Sequence, residues 1–323
     1  MTEASLYQAE DGNLDVTTTL ALTGGEVVQL SDGRAGVSSV DVAAGRLAAP
    51  QTEGVFKVTK TASQVWVDGG PLWWDHSANS ATCIPRMGAG DRDFYLGTIV
   101  GDATSAATEG YVNLNVQPNY AIDLARDPFA TAIVKTVVGS TTVEVPHVEP
   151  RGGGTTMIFG TTAEAQKIDL LSERSFALAS NWIVEGEVNI VTNGDASAVD
   201  FNIGVANATH ATDADSITES VFLHVDGAST NILAESDDGT TEVAATDTTV
   251  DFTAGTPFSF VIDGRNPADV QIYIDGVLML TSTVFDVSAA TGPLKLLAHL
   301  EKSSDDSPGT FQINRLRVRT AQQ

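Results

Sequence analysis

The stretch Phe258 to Leu280, FSFVIDGRNPADVQIYIDGVLML, constrains this chain more than any other. Val270, Ile272 and Ile274 alternate with Gln271 and Tyr273, a period of two that belongs to a strand with one buried face. Asp275-Gly276 then sits between two apolar runs. Both central positions of a type I′ turn need positive φ, which Asp and Gly tolerate, so the pair predicts a tight hairpin. Similar short β-branched runs fill the rest of the sequence. In the first half they are Thr17 to Leu22, Glu26 to Leu30, Gly36 to Val42, Val55 to Val58, Gln64 to Val67, Pro71 to Asp75, Phe94 to Val100 and Gly110 to Val116. In the second half they are Phe176 to Leu178, Trp182 to Val191, Ala198 to Ala206, Ser220 to Val225, Asn231 to Ala234, Thr240 to Ala244, Thr248 to Phe252 and the closing strand Phe311 to Arg319. Helix signals are weak; the best are Thr162 to Leu171 and Tyr120 to Ala125. The expected fold class is all-β, a small N-terminal β-barrel followed by a C-terminal antiparallel β-sandwich.

A chain of 323 residues exceeds the usual single-domain size. The clearest linker signal is EPRGGGTT, Glu149 to Thr156, where Pro-Arg precedes three glycines. We therefore expect domains at 1–117 and 155–323, with an extended arm and Gly-rich linker at 118–154. Within that arm, Phe129 to Val138 and Thr141 to Val145 are β-branched and joined by Gly139-Ser140. They read as a projecting hairpin without a home core, suited to exchange between subunits.

Acidic residues number 42 against 17 Lys plus Arg, a formal net charge of −25. Such a surface repels phosphate backbones, so nucleic acid is excluded as a direct partner. Cys83 is the single cysteine, which rules out an intramolecular disulfide or a Cys-based zinc cluster. The N-terminus MTEASLYQAEDGNLD lacks the apolar core of a signal peptide, and no apolar run approaches the ~18 residues of a membrane span. A soluble protein made in the cytoplasm is expected.

No segment carries a catalytic motif. His76, His147, His210, His224 and His299 are not paired at metal-ligand spacing and read as structural or surface residues. Glu185 and Glu187 share one strand face, as the two carboxylates of a glycosidase would, but they read more simply as a solvent face, with Trp182, Val184, Val188 and Ile190 packed inward. No cofactor is expected; the acid-rich turns at Asp213 and Asp215 and at Asp237-Asp238-Gly239 are where calcium would find oxygen ligands. Trp182 and Tyr273 are the large aromatic candidates for stacking on a sugar, although strand positions favour a core role. Trp73 and Trp74 are adjacent, so one should face the core and the other the surface. With Pro71 and Leu72, that second tryptophan is the expected interface anchor. Arg315, Arg317 and Arg319 form a basic stripe, a further interface candidate that could instead pair with acids such as Glu301. Phe311 and Ile313 share the parity of the arginines, while Leu316 and Val318 have the other; a bulge near Asn314 would restore one apolar face.

Val40 to Asp75, VDVAAGRLAAPQTEGVFKVTKTASQVWVDGGPLWWD, joins these strands in a specific order. The loop phrase AAGRLAAPQTEG, the strand Val55-Phe56-Lys57-Val58 and the phrase GGPLWWD together resemble the small β-barrel of capsid decoration (cement) proteins of tailed bacteriophages. The resemblance implies a structural, non-enzymatic role on the outer surface of the virion. It also implies a major capsid protein as partner and self-association, as homotrimers or at local symmetry axes. The second half, through FSFVID, VQIYIDGVLM and FQINRLRVR, resembles the concanavalin-like jelly roll. That resemblance leaves open contact with a glycan or host surface. A carbohydrate-binding or adhesion protein is the alternative, and a glycoside hydrolase a lesser one.

Overall fold

The structure is a computed structural model that describes residues 12–85, 93–123, 133–144, 154–194 and 199–321. The chain forms two compact units, Met1–Pro118 and Asn119–Gln323. All regular elements among the described residues are strands, apart from one short 3-10 turn.

The N-terminal unit holds strands β1 (Val16–Thr17), β2 (Val27–Gln29), β3 (Ala35–Val37), β4 (Leu47–Ala48), β5 (Val55–Thr59), β6 (Pro71–Asp75), β7 (Ser80–Thr82), β8 (Phe94–Ile99) and β9 (Glu109–Leu114). The last five make an antiparallel sheet in the order β5-β9-β8-β6-β7. A parallel bridge from Lys60 to Ala81 brings its two edges together, so the sheet closes on itself as a small barrel. Trp66, Leu72, Leu96 and Val112 are wholly buried inside it. Gly110 is required there, because a Cβ would fall 2.3 Å from the Trp66 ring. β1 pairs with β4, and β2 with β3, in two short ribbons that precede the barrel.

The C-terminal unit holds β10 (Ile122–Asp123), β11 (Ile133–Val138), β12 (Thr141–Glu144), β13 (Thr155–Phe159), β14 (Glu164–Ser172), β15 (Trp182–Thr192), β16 (Val199–Ala206), β17 (Ser220–Asp226), β18 (Asn231–Asp237), β19 (Glu242–Asp251), β20 (Phe258–Gly264), β21 (Gln271–Ile274), β22 (Val277–Leu278), β23 (Lys295–Asp305) and β24 (Gly309–Arg319). One sheet runs β12-β13-β24-β15-β20-β21-β22, with β10 also on β24; the other runs β11-β14-β23-β16-β17-β18-β19. Apolar side chains from both sheets meet in a single core, where Phe201 stacks on Phe311 with ring centroids 4.6 Å apart. This is a jelly-roll sandwich of two antiparallel sheets.

Several local expectations hold. Asp275 and Gly276 both have positive φ, and Ile274 pairs with Val277 across the tight turn. Glu187 pairs with Arg315 while Val188 pairs with Ile313, so Asn314 is the extra residue of a bulge. The bulge turns Leu316 and Val318 onto the same buried face as Phe311 and Ile313.

Others are corrected. Thr162 to Leu171 is largely strand, because β14 lies between β11 and β23 and sends Ile168 and Leu170 into the core. Tertiary pairing overrides its helix-forming Ala, Glu, Gln and Lys. Of the second helix candidate, Ile122–Asp123 is strand β10, and residues 124–125 lie outside the described residues. The arm is not free: β11 pairs with β14 in one sheet and β12 with β13 in the other. Gly139, at φ +75°, is where the chain steps between the sheets, so the two β-branched runs have home sheets after all. The glycine linker expected at 149–156 lies mostly outside the described residues, and Thr155 and Thr156 already belong to β13. The units divide earlier, between Pro118 and Asn119.

Candidate functional site

Pro71, Leu72, Trp73 and Trp74 form β6, and none of them is an exposed anchor. Leu72 is wholly buried, Trp73 and Trp74 are each only 6% exposed, and Pro71 is half-buried. Strict alternation fails because the pairing of β6 with β8 slips between Leu72 and Trp73. Trp74 joins the barrel core, and Trp73 packs edge-on against Tyr95 at 6.0 Å. Trp73→Ala and Trp74→Ala are therefore both expected to cost about 3–4 kcal/mol of stability, as truncation of a buried tryptophan does. Chemical denaturation of the two variants checks this; a near-neutral result for either would place its ring outside the fold.

The exposed apolar groups of this unit lie elsewhere. Residues 16–22 run beside 42–48, joined by the Val16–Ala48 and Leu22–Val42 pairs and by the Thr18 N–H donating to Arg46 O. Along and beside this ribbon stand Leu20, Val40 and Leu47, 62%, 61% and 66% exposed.

The arginine stripe is internal to the second unit. Arg315 pairs with Glu187 (2.9 Å), Arg317 with Asp123 (2.9 Å) and Arg319 with Glu185 (2.8 Å), so the acids come from β15 and β10 and not from Glu301. Tyr120 donates to Glu185 at 2.6 Å, and Arg317 lies over the Tyr120 ring. Asn314 donates to the remaining oxygen of Glu187. Glu187 is 1% exposed, so the expected solvent face is in fact covered, and both carboxylates are held by hydrogen-bond donors. Trp182 and Tyr273 are likewise buried, which leaves neither ring face open to a sugar.

The densest polar cluster is on the outer face of the other sheet. Register places Asp169 of β14 opposite His299 of β23, His299 opposite Asn202 of β16, and Asn202 opposite His224 of β17. Next to this row stand Glu301 and Asp200, paired across β23 and β16, and Asp226 opposite Asp200. Glu235 comes from β18, and the 3-10 turn Ala214–Ser216 lays Asp215 over the face. His299 is fully buried, with Nδ1 2.5 Å from Asp169 and Nε2 2.9 Å from Glu301. Burial opposes its protonation, but the bonds to Asp169 and Glu301 outweigh it and push its pKa up to about 9. His224 touches four carboxylates: Asp200 (3.1 Å) and Asp226 (3.0 Å) through Nε2, Asp215 (3.3 Å) and Glu235 (3.4 Å) through Nδ1. Burial disfavours its charge, yet the bonds to Asp215 and Glu235 and the charge of Asp200 hold it well above the usual histidine range. Burial in turn raises Asp200 and Glu235 to about 7, with the His224 charge working against it. Of the two acid-rich turns, Asp237-Asp238-Gly239 is closed on itself, its carboxylates accepting from Gly239, Thr240, Thr241 and Ala289. Asp213 caps the 3-10 turn, and Asp215 alone of that pair touches His224.

The comparison that bears on function falls on the first unit. The barrel matches the phage cement protein family. The match covers residues 7–114, from ahead of the ribbons to the last residue of β9. The cement-like unit thus accounts for about a third of the chain and leaves the sandwich outside the match. No curated protein matches the chain. Among solved structures, similar chains include one described with endo-acting O-glycanases of the human gut microbiota (11% identity, TM-score 0.46, 63% of this chain and all of that chain). Another is the potassium-bound carbohydrate recognition domain of Emp46p (8%, TM-score 0.41, 62% and 97%). A third is a glycoside hydrolase family 16 endo-glucanase from Bacteroides ovatus (8%, TM-score 0.44, 61% and 99%). All three likenesses are distant. No helix among the described residues is long and apolar enough to cross a membrane.

Proposed function

We propose that this chain is a virion structural protein, a capsid decoration protein whose cement-like unit binds the outer face of a phage head and stabilises the lattice. The observation that carries the reading is the family match over residues 7–114. The exposed Leu20, Val40 and Leu47 supply apolar anchors of the kind a protein interface covers. Such a protein works without reactive groups: it bridges neighbouring major capsid subunits and adds buried interface that opposes internal pressure. The strongly acidic composition keeps unbound copies apart in solution. The sandwich is then available for contacts beyond the capsid, a host or glycan surface among them, and association as trimers would match a local symmetry axis of the lattice.

The test is to mix the purified protein with undecorated capsids. Binding should saturate at a fixed ratio per major capsid subunit. Leu20→Asp and Leu47→Asp should each weaken it by at least about tenfold while the circular dichroism stays unchanged. Failure to saturate, or binding only to sugars, would sink the decoration reading.

A further inference from the structure

We propose that Asp215, Glu235 and Nδ1 of His224 form a three-ligand site for a divalent transition metal of the zinc class, with Asp200 beside it on the Nε2 side of the ring. Asp200, Asp215 and His224 each offer a ligand atom, and these atoms lie within 4.8 Å of one another. Three different strands and the 3-10 turn deliver the four side chains to one place.

Three independent observations point to a cation. The first is charge. A single imidazolium faces four carboxylates, and no lysine or arginine among the described residues pairs with Asp200, Asp215, Asp226 or Glu235. Asp215 and Asp226 reach solvent, but Asp200 and Glu235, with side chains 16% and 8% exposed, hold their share of that charge poorly solvated. The second is an orphaned atom. Oε1 of Glu235, a residue only 6% exposed, is buried without a hydrogen-bond partner. The third is distance. On the Nε2 side His224 makes contacts of 3.0 and 3.1 Å, ordinary hydrogen-bond lengths. On the Nδ1 side the contacts are 3.3 and 3.4 Å, long for a charge-assisted bond, which runs at about 2.7–2.9 Å. They match the edge of a tetrahedron built on metal–ligand bonds of about 2.0–2.1 Å, which is roughly 3.3–3.4 Å. Donation of the Nε2 proton to Asp226 would fix the tautomer and leave the Nδ1 lone pair for the metal, the usual carboxylate–histidine–metal arrangement. Asp215, with 42% of its side chain exposed, marks the solvent side.

The experiment uses the full chain stripped with a chelator and titrated calorimetrically with Zn²⁺ alone, with Ca²⁺ in a parallel run. Zn²⁺ should bind at one equivalent per chain and raise the melting temperature. Asp215→Asn, on the exposed turn, should weaken binding at least about tenfold, and Asp237→Asn should leave it unchanged. Glu235→Gln is the second variant and should act like Asp215→Asn. Co²⁺ should give the intense visible absorption of a four-coordinate centre. Absence of saturable Zn²⁺ binding, binding as tight as that of the native chain by either Asp215→Asn or Glu235→Gln, or a preference for Ca²⁺ would each overturn the assignment.

Discussion

Trp182→Ala is expected to remove about 4–5 kcal/mol from the C-terminal unit, the upper end for tryptophan truncation, because Trp182 has no exposed surface. The ring packs at 5.7 Å from Phe176 and lies against the opposite residue of β20, Gly264, where a Cβ would fall 2.0 Å from the indole. Tryptophan and glycine are thus two halves of one contact. Gly264→Ala in the native background should also be strongly destabilising, since either the indole or the strand must move. In the Trp182→Ala background the same change should be nearly neutral, the clash having gone. Equilibrium denaturation of the four proteins of this cycle gives the coupling. Additive losses would refute the contact, and the loss for Trp182→Ala alone corresponds to a fall in melting temperature of about 10–15 °C.

The second large effect is electrostatic. Asp169→Ala is expected to cost about 3–5 kcal/mol at neutral pH, because it leaves His299 and Lys167 without the carboxylate that bridges them. The native pair also sets a pH dependence. His299 is raised to about 9 in the folded chain from an ordinary value near 6.5, so its contribution is fully present below about pH 6.5 and is lost as pH rises through 9. The groups facing it are Asp169 and Lys167 on β14, Glu301 on its own strand and Asn202 on β16. The size of the loss is about 3 kcal/mol. Asp200 and Glu235, raised to about 7, lose their contribution earlier, but His224, also raised, loses its own over the same interval, so between pH 7.5 and 10 the share of His299 is the difference between the native and His299→Gln profiles. Stability should fall over that interval in the native protein and less steeply in His299→Gln, where the slope left is that of His224. A flat native profile would show that His299 is not charged in the fold.

Much of the sandwich could be read from the sequence because its signals are local. The Asp275-Gly276 turn, the alternation on β21 and the bulge at Asn314 each depend on a few neighbouring residues. The polar cluster was hidden for the opposite reason. Its members are far apart in the chain, Asp169 and His299 by 130 residues, and only strand register brings them opposite each other. One signal was nevertheless present: Leu296, Ala298 and Leu300 alternate with Leu297, His299 and Glu301, a strand pattern that places His299 on a face with an acid. The tryptophan pair failed differently. Parity assigns Trp73 and Trp74 to opposite sides only in a regular strand, and the slip between Leu72 and Trp73 removes that premise. Exposure of Leu20, Val40 and Leu47 depends on how two short ribbons lie, which no local pattern encodes.

The final two strands have a consequence for biosynthesis. β24 sits between β13 and β15 and also receives β10, while β23 sits between β14 and β16. Each sheet is therefore missing an interior member until the last residues of the unit are made. On the ribosome, β13, β15, β14 and β16 wait with open edges, the state most prone to pairing with a neighbouring chain. Nascent copies on one messenger would be held in that state together, and the final zipping of β24 between strands made more than a hundred residues earlier is the slow, non-local step.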